Sequence, residues 1–240
     1  MEEAIVLKPE VLGYFKSLPI TNTLLVSWIV MVILIIIAFL AGRKAKLVPS
    51  GLQNLFELIL DFGYTTVLDL AGSKKAKVFF PIVMTFFLYI LFSNLLGLFP
   101  GFATITYHKE PLFRSMNSDL NMTLALALTS AVLTHGFAIY YLGIVDYLKK
   151  WFTLNPIFLF VGLLELVGEV TKVVSLSFRL FGNIFAGEVV LATVSRIFAF
   201  IVPLPFYFLE IIVGFVQAAV FMMLTLVFMV LLSEKHAAEH

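Results

Sequence analysis

The feature that most constrains this chain is the recurrence of uncharged apolar runs long enough to cross a lipid bilayer. Leu24 to Ala41 holds 18 residues without a charge, and Val78 to Tyr107 holds 30. A spanning helix needs about 20 largely apolar residues. Helix is the natural answer in hydrocarbon because it satisfies every backbone polar group internally. Charged residues make up 13% of the 240, against roughly 25% in a soluble domain. That excludes a water-soluble globular protein, and a 61% hydrophobic composition excludes disorder. The fold class expected is an all-α polytopic membrane protein. A net charge of +1 gives no sign of nucleic acid, and the absence of cysteine removes disulfides, thiolate metal sites and thiol nucleophiles. The acidic opening Met1-Glu2-Glu3, with the first apolar run starting near Leu24, does not fit a signal peptide.

The whole of 1–240 reads as a single integral membrane domain. After an outer N-terminal segment at 1–20, Thr21-Asn22-Thr23 offers N-cap side chains for a first span at 21–42, which stops at Arg43-Lys44-Ala45-Lys46. Residues 50–70 mix apolar and polar at helical period. They are too polar to span, and predict an amphipathic helix lying on the membrane surface or against a partner. Lys74-Lys75-Ala76-Lys77 precedes a second span at 78–99, with Pro81 tolerated in its first turn. A third span covers 120–147 and closes at Lys149-Lys150. Two long apolar segments, 157–193 and 200–232, form a final hairpin within 157–233 around a break at Ser195-Arg196, before a tail at 234–240. With the N-terminus outside, the inner flanks carry nine Lys and Arg against five on the outer side, which predicts N-out, C-in with about five membrane segments. No internal repeat or low-complexity tract is present.

The final pair is too long for its charge content. At about 1.5 Å per residue, the 37 residues from 157 to 193 extend about 55 Å, against about 30 Å of hydrocarbon. A straight, immersed helix would need a tilt of about 55°, beyond the usual 0–40°. The segment therefore kinks, lies strongly tilted, or forms an ordinary span with frayed ends. It also carries Glu165, Glu169, Lys172, Arg179 and Glu188, with Glu210 on the returning limb. An ionisable group at mid-bilayer costs about 2.5–3.5 kcal/mol on insertion scales and normally marks an ion or proton path.

Spacing arranges these groups. Glu165, Glu169, Lys172, Ser175, Arg179 and Asn183 step by three, four or seven and share one stripe. Glu188, nine residues past Arg179, falls on the opposite face. In an antiparallel hairpin, facing positions have a constant sum. That sum is 396 for Arg179 with Gln217 and 398 for Glu188 with Glu210, so the polar groups of the two limbs are placed to meet. The alternative is that Gln217 and Glu210 bond to backbone or to lipid headgroups. A guanidinium stays protonated, so Arg179 cannot carry a proton. It can hold a fixed positive charge for an acid, either on another chain or in an internal ion pair. Buried carboxylates suit the opposite task of taking up and releasing protons, and adjacent ones titrate as a coupled pair.

Ser175-Leu-Ser-Phe-Arg179-Leu-Phe-Gly-Asn183-Ile-Phe-Ala-Gly-Glu188 closely resembles the hallmark segment of the a subunit of F-type ATP synthases. The resemblance continues in order through Thr21-Asn-Thr-Leu-Leu-Val-Ser-Trp28, Asn94-Leu-Leu-Gly-Leu-Phe-Pro100, Asp119-Leu-Asn-Met-Thr123 and Gln217-Ala-Ala-Val-Phe-Met-Met-Leu-Thr225. It implies a stator subunit that offers two offset half-channels to a rotating ring of c subunits carrying protons on carboxylates. Arg179 would face the ring carboxylate, promote its proton release and block leakage. Glu188, Glu210, Gln217 and Asn183 would belong to the outer half-channel and ring interface, and Glu165, Glu169, Lys172 and Ser175 to the inner one. The last two helices would lie strongly tilted along the ring. The implied partners are the c ring, b-type peripheral stalk subunits (contacting the 50–70 helix), the remaining ATP synthase subunits and the bilayer. No cofactor is implied; the ion is H+, with Na+ left open. The implied location is a bacterial plasma membrane. The chain would be non-catalytic by itself, in keeping with the absence of a P-loop. Two positions depart from the family pattern. Val173 stands where many relatives have proline, and Glu210 where some have histidine.

Other signals are weaker. His236-Ala-Ala-Glu239-His240 has the letters of a zinc signature but reads as a solvated tail. His135 in the third span is read first as an interhelical hydrogen-bonding group and second as a proton relay. Gly182 and Ala186 permit close helix approach. A secondary transporter would show inverted repeats, and an intramembrane zinc hydrolase would need converging ligands; neither pattern is present.

Overall fold

The computed structural model describes residues 9–43, 51–99, 101–102, 105–107, 110–151, 156–197 and 201–234. Strands β1 (Val11–Phe15) and β2 (Leu18–Thr21) form a small antiparallel hairpin that the sequence reading missed. It leads into α1 (Asn22–Arg43), whose first turn is capped as expected: Leu24 N–H donates to Thr21 Oγ1 at 3.3 Å. The far half of α1 leaves Ile35, Ile36, Phe39 and Leu40 exposed, a surface suited to lipid.

Helix α2 runs Leu52–Gly97 but is broken at Gly72, which adopts φ 71°, ψ 164°. That conformation is open to glycine and strained for other residues. The chain doubles back there. Tyr64 packs edge-on against Phe80 with ring centroids 5.3 Å apart, and Gly63 lies against Met84. Both pairs straddle Gly72 almost symmetrically, so the segment read from sequence as a surface helix covers part of its apolar side with the second span. Leu55, Leu58 and Phe62 remain exposed on its other side.

A two-stranded ribbon, β3 (Thr106–Tyr107) and β4 (Glu110–Pro111), and a 3-10 turn at Met116–Ser118 lead to α3 (Leu120–Leu142). Asp119 caps α3 by accepting from Asn121 N–H at 2.9 Å. The third span ends at Gly143, with φ 81°, earlier than the expected 147. The remainder forms the short amphipathic helix α4 (Ile144–Trp151). The last pair is α5 (Pro156–Ile197), 42 residues, and α6 (Pro203–Leu232), 30 residues, with a proline in the opening turn of α6. At about 1.5 Å per residue α5 is about 63 Å long. Four described helices are long and apolar enough to cross a membrane: Asn22–Arg43, Gln53–Gly97, Leu120–Leu142 and Pro203–Leu232. Helix α5 is not among them; it carries Glu165, Glu169, Lys172, Arg179, Glu188 and Arg196 spread along its length.

The core lies where α2 meets α6, the most extensive pairing in the fold, with α3 and α5 closing it. Phe79, Val83 and Ile90 of α2 pack with Phe221, Leu226 and Met229 of α6 and with Leu176 and Leu180 of α5. Hydrophobic burial does not drive helices together in lipid, so packing and polar contacts must hold the bundle. Ser130 of α3 bonds Thr225 of α6 at 2.9 Å, Thr123 of α3 bonds Ser177 of α5 at 3.1 Å, and Thr23 of α1 donates to Asp119 at 2.9 Å. Lys75 donates to the Ser233 carbonyl at 3.2 Å, joining the start of the second span to the end of α6. The bundle thus has two ends, one marked by Thr23 and Asp119 and the other by Lys75, Trp151 and Ser233.

Candidate functional site

Helix α5 carries its polar groups along its whole length, and the fold sorts them into three environments. At the Asp119 end, Glu188 lies within electrostatic reach of Arg114 and Ser118 of the loop before α3 and of Glu210 of α6. Glu210 is buried, and its carboxylate rests on Gly187; a Cβ there would land on the carboxylate itself. Only glycine leaves room for the second acid beside the first. Arg114 donates from Nε to Ser118 Oγ at 3.2 Å, which ties the arginine to the same wall.

One to two turns further in, Asn183 donates its amide to Gln217 Oε1 at 2.6 Å across the hairpin. Asn94 of α2 donates to the Gly214 carbonyl at 2.9 Å and accepts from Asn117 at 2.6 Å. Gly214 lets Asn94 come this close, since a Cβ there would sit 3.1 Å from the Asn94 Cβ. Polar groups from the loop before α3, from α2 and from both limbs of the hairpin thus line the Asp119 half of the bundle.

At the Trp151 end, Glu169 accepts from Lys172 at 2.6 Å, and its other oxygen lies 3.9 Å from His135 Nε2 on α3. The Tyr147 hydroxyl of α4 bonds His135 Nδ1 at 2.9 Å. Lys172 also sits over the Phe228 ring, 4.6 Å from its centroid. Glu165 is half-buried on the same end of α5.

Arg179 occupies the third environment. It is exposed and makes no hydrogen bond or ion pair among the described residues. It borders an open groove of about 450 Å³, shared with Gly168, Thr171 and Ser175 of α5 and Leu224 and Phe228 of α6. It is ten residues from Glu169 and nine from Glu188, so about 15 Å and 13.5 Å along the helix. A permanent positive charge thus stands almost midway between two acidic clusters at opposite ends.

Of the two facing pairs expected from sequence, Glu188 and Glu210 come together, with Glu210 resting on Gly187; Gln217 bonds Asn183, one turn past Arg179, and not Arg179 itself. The single stripe from Glu165 to Asn183 is divided by its neighbours, with Glu169 turned to α3, Arg179 and Ser175 left open, and Asn183 engaged with α6. Glu188 faces the wall opposite to the open side, as its 180° offset requires. Spacing along one helix did not reveal Arg114, Ser118, Asn117 or Tyr147, because their contacts are long-range. Asn94 was legible only as part of a recurring motif. No group of three metal-ligating side chains occurs among the described residues, and the His236–His240 tail lies outside them.

The family model described as ATP synthase A chain matches residues 24–230, which spans every element that builds these clusters. The chain belongs to the ATP synthase A chain family. Among its relatives, ATP synthase subunit a of Moorella thermoacetica is 35% identical over 221 residues, covering 92% of this chain and 94% of the relative. Subunit a of Trichlorobacter lovleyi is 34% identical, covering 86% and 85%. Subunit a 2 of Syntrophotalea carbinolica is 36% identical, covering 90% and 85%. As an ATP synthase subunit a family member, the chain is a multi-pass membrane component serving ATP synthesis and proton transport, with other ATP synthase subunits as its partners.

Proposed function

We propose that this chain is the proton-conducting stator subunit of a rotary ATP synthase, loading and unloading the carboxylates of a rotating c ring through two half-channels. The observation that carries this reading is the position of Arg179. A charge that finds no hydrogen bond or ion pair among the described residues, on an open helix face between two acidic clusters, suits an acid supplied in trans. A guanidinium beside a carboxylate favours the ionised form by about one to three pKa units, so a ring carboxylate that reaches Arg179 gives up its proton. The same fixed charge repels a proton moving directly between the clusters.

In this reading the outer half-channel is the seam of Glu188, Glu210, Asn183 and Gln217, and the inner one contains Glu165, Glu169, Lys172 and Ser175. Orientation rests on the excess of Lys and Arg near the Lys75 and Ser233 end, which places that end and the C-terminus inside a bacterial plasma membrane. The length of α5, about twice the hydrocarbon thickness, suits a helix laid obliquely along the ring. The exposed Leu55, Leu58 and Phe62 offer an apolar surface to a b-type stalk subunit. The chain works without a cofactor and without catalysis of its own; the ion is H+.

ATP-driven proton pumping by inverted membrane vesicles tests this. With assembly confirmed by immunoblot, Arg179→Ala is expected to abolish pumping. Normal pumping would overturn the proposal. Pumping of Na+ in place of H+ would keep the stator role and change the ion.

A further inference from the structure

The acids that the sequence places at the inner end are not its best proton carriers. Glu169 is engaged by the Lys172 ammonium at 2.6 Å. Glu165 makes no hydrogen bond or ion pair with the cluster among the described residues. The group that stands against this ion pair from across the helix interface is His135, whose Nε2 lies 3.9 Å from Glu169. Histidine is the side chain whose unperturbed pKa, about 6.5, falls in the working range.

The surroundings fix how the imidazole can act. Tyr147 sits outside the spans on α4, and burial pushes its phenol up from the ordinary value, so the hydroxyl stays protonated and neutral. It engages Nδ1 at 2.9 Å, and with Nδ1–H donated to the phenol oxygen, Nε2 presents its lone pair toward Glu169. A recess of about 20 Å³ lies where Ser130, Thr134 and His135 of α3 meet Glu169 and Lys172 of α5. That is room for one water, enough to bridge the 3.9 Å gap. Among the described residues, charged or titratable groups facing His135 include Glu169 and Lys172 from α5 and Tyr147 from α4; α6 presents Phe228 to the same recess.

We propose that His135 is the proton-transfer residue of the inner half-channel, with Tyr147 as the residue that orients it. This rests on the stator reading above. A proton released from the ring reaches Nε2 and forms an imidazolium next to the Glu169 carboxylate, which stabilises it. The same Nε2 then returns that proton to water on the inner side, so the histidine ends neutral and one proton has moved. In the pumping direction the two transfers reverse.

The test uses the assembled complex in inverted vesicles, where the inner face meets the buffer. His135→Gln is expected to slow ATP-driven pumping by about 10²-fold, the lower end for loss of a positioned acid–base group, with the complex assembled. Imidazole added to the buffer is expected to restore part of the rate, and choline chloride at equal ionic strength is not. Unchanged pumping in His135→Gln, or a loss that imidazole does not relieve, would overturn the proposal. Tyr147→Phe keeps the ring packing and carries the same test if His135→Gln does not assemble: an unchanged rate and pH profile would overturn it, and a slowed rate with a displaced profile supports it. Arg179→Ala measured alongside separates the two readings. If it still pumps, the stator reading falls; if it does not, and His135→Gln pumps normally, only the role of His135 falls.

Discussion

Asn183 on α5 and Gln217 on α6 are joined by a 2.6 Å amide-to-amide hydrogen bond, and Gln217 is only 3% exposed. The bond fixes the register of the hairpin one turn from Arg179, on the Glu188 side. Polar bonds between helices in a membrane are worth about 0.6 kcal/mol on average and reach about 1.7. A double-mutant cycle with Asn183→Ala and Gln217→Leu, read by denaturation of the purified complex, should show coupling of about 0.5–1.5 kcal/mol. Strictly additive effects would mean the bond does not form in the assembled protein.

Gly187 permits Glu210 to reach the Glu188 site. Gly187→Ala places a methyl group on the Glu210 carboxylate and must displace it. Misplacing a reacting group by about 1 Å can lower a rate by on the order of 10²-fold. Pumping by Gly187→Ala should therefore fall by at least about tenfold, and the added change Glu210→Asp, which withdraws the acid by one methylene, should recover part of it. Full activity of Gly187→Ala would place Glu210 elsewhere.

Lys172 and Glu169 are an ion pair 17% and 36% exposed on the acid and base sides respectively. Removing one partner leaves the other uncompensated in a poorly solvated site, which costs more than removing both. Lys172→Met should reduce the amount of assembled complex in membranes, and Lys172→Met with Glu169→Gln should restore it. A double variant worse than the single would contradict the pairing.

Asn94 serves two partners, the Gly214 carbonyl and the Asn117 amide. Asn94→Leu leaves both unmet, at about 1–3 kcal/mol for each buried group. The variant should lower the denaturation midpoint of the complex more than Asn117→Leu, which frees Asn94 on one side only. Equal midpoints would show that Asn94 does not serve both partners.

The helices were legible because apolar run length and helical spacing are local. The sums that paired the two limbs of the hairpin brought Glu188 to Glu210 because α5 and α6 run antiparallel, but they set Arg179 opposite Gln217, whose bond goes to Asn183 one turn away. The doubling back at Gly72 was not legible, since a lone glycine in a helical pattern gives no sign of its φ. The β1–β2 hairpin was hidden for the same reason that short strands usually are: five residues carry little period. The surroundings of Glu169 could not be read from its stripe. Lys172 lies one turn away on the same helix, but His135 and Tyr147 reach the site from α3 and α4, and a spacing argument sees only the first of these.

The central claim is that Arg179 separates two proton paths that otherwise meet at one ring carboxylate. It is tested by proton flux through the membrane sector with the ring cross-linked to the stationary chain, so that no rotation occurs. The account predicts no sustained flux with Arg179 present and a sustained flux in Arg179→Ala, where a proton can cross on one stationary carboxylate. Equally tight membranes in both would contradict it, as would sustained flux through the locked sector with Arg179 in place.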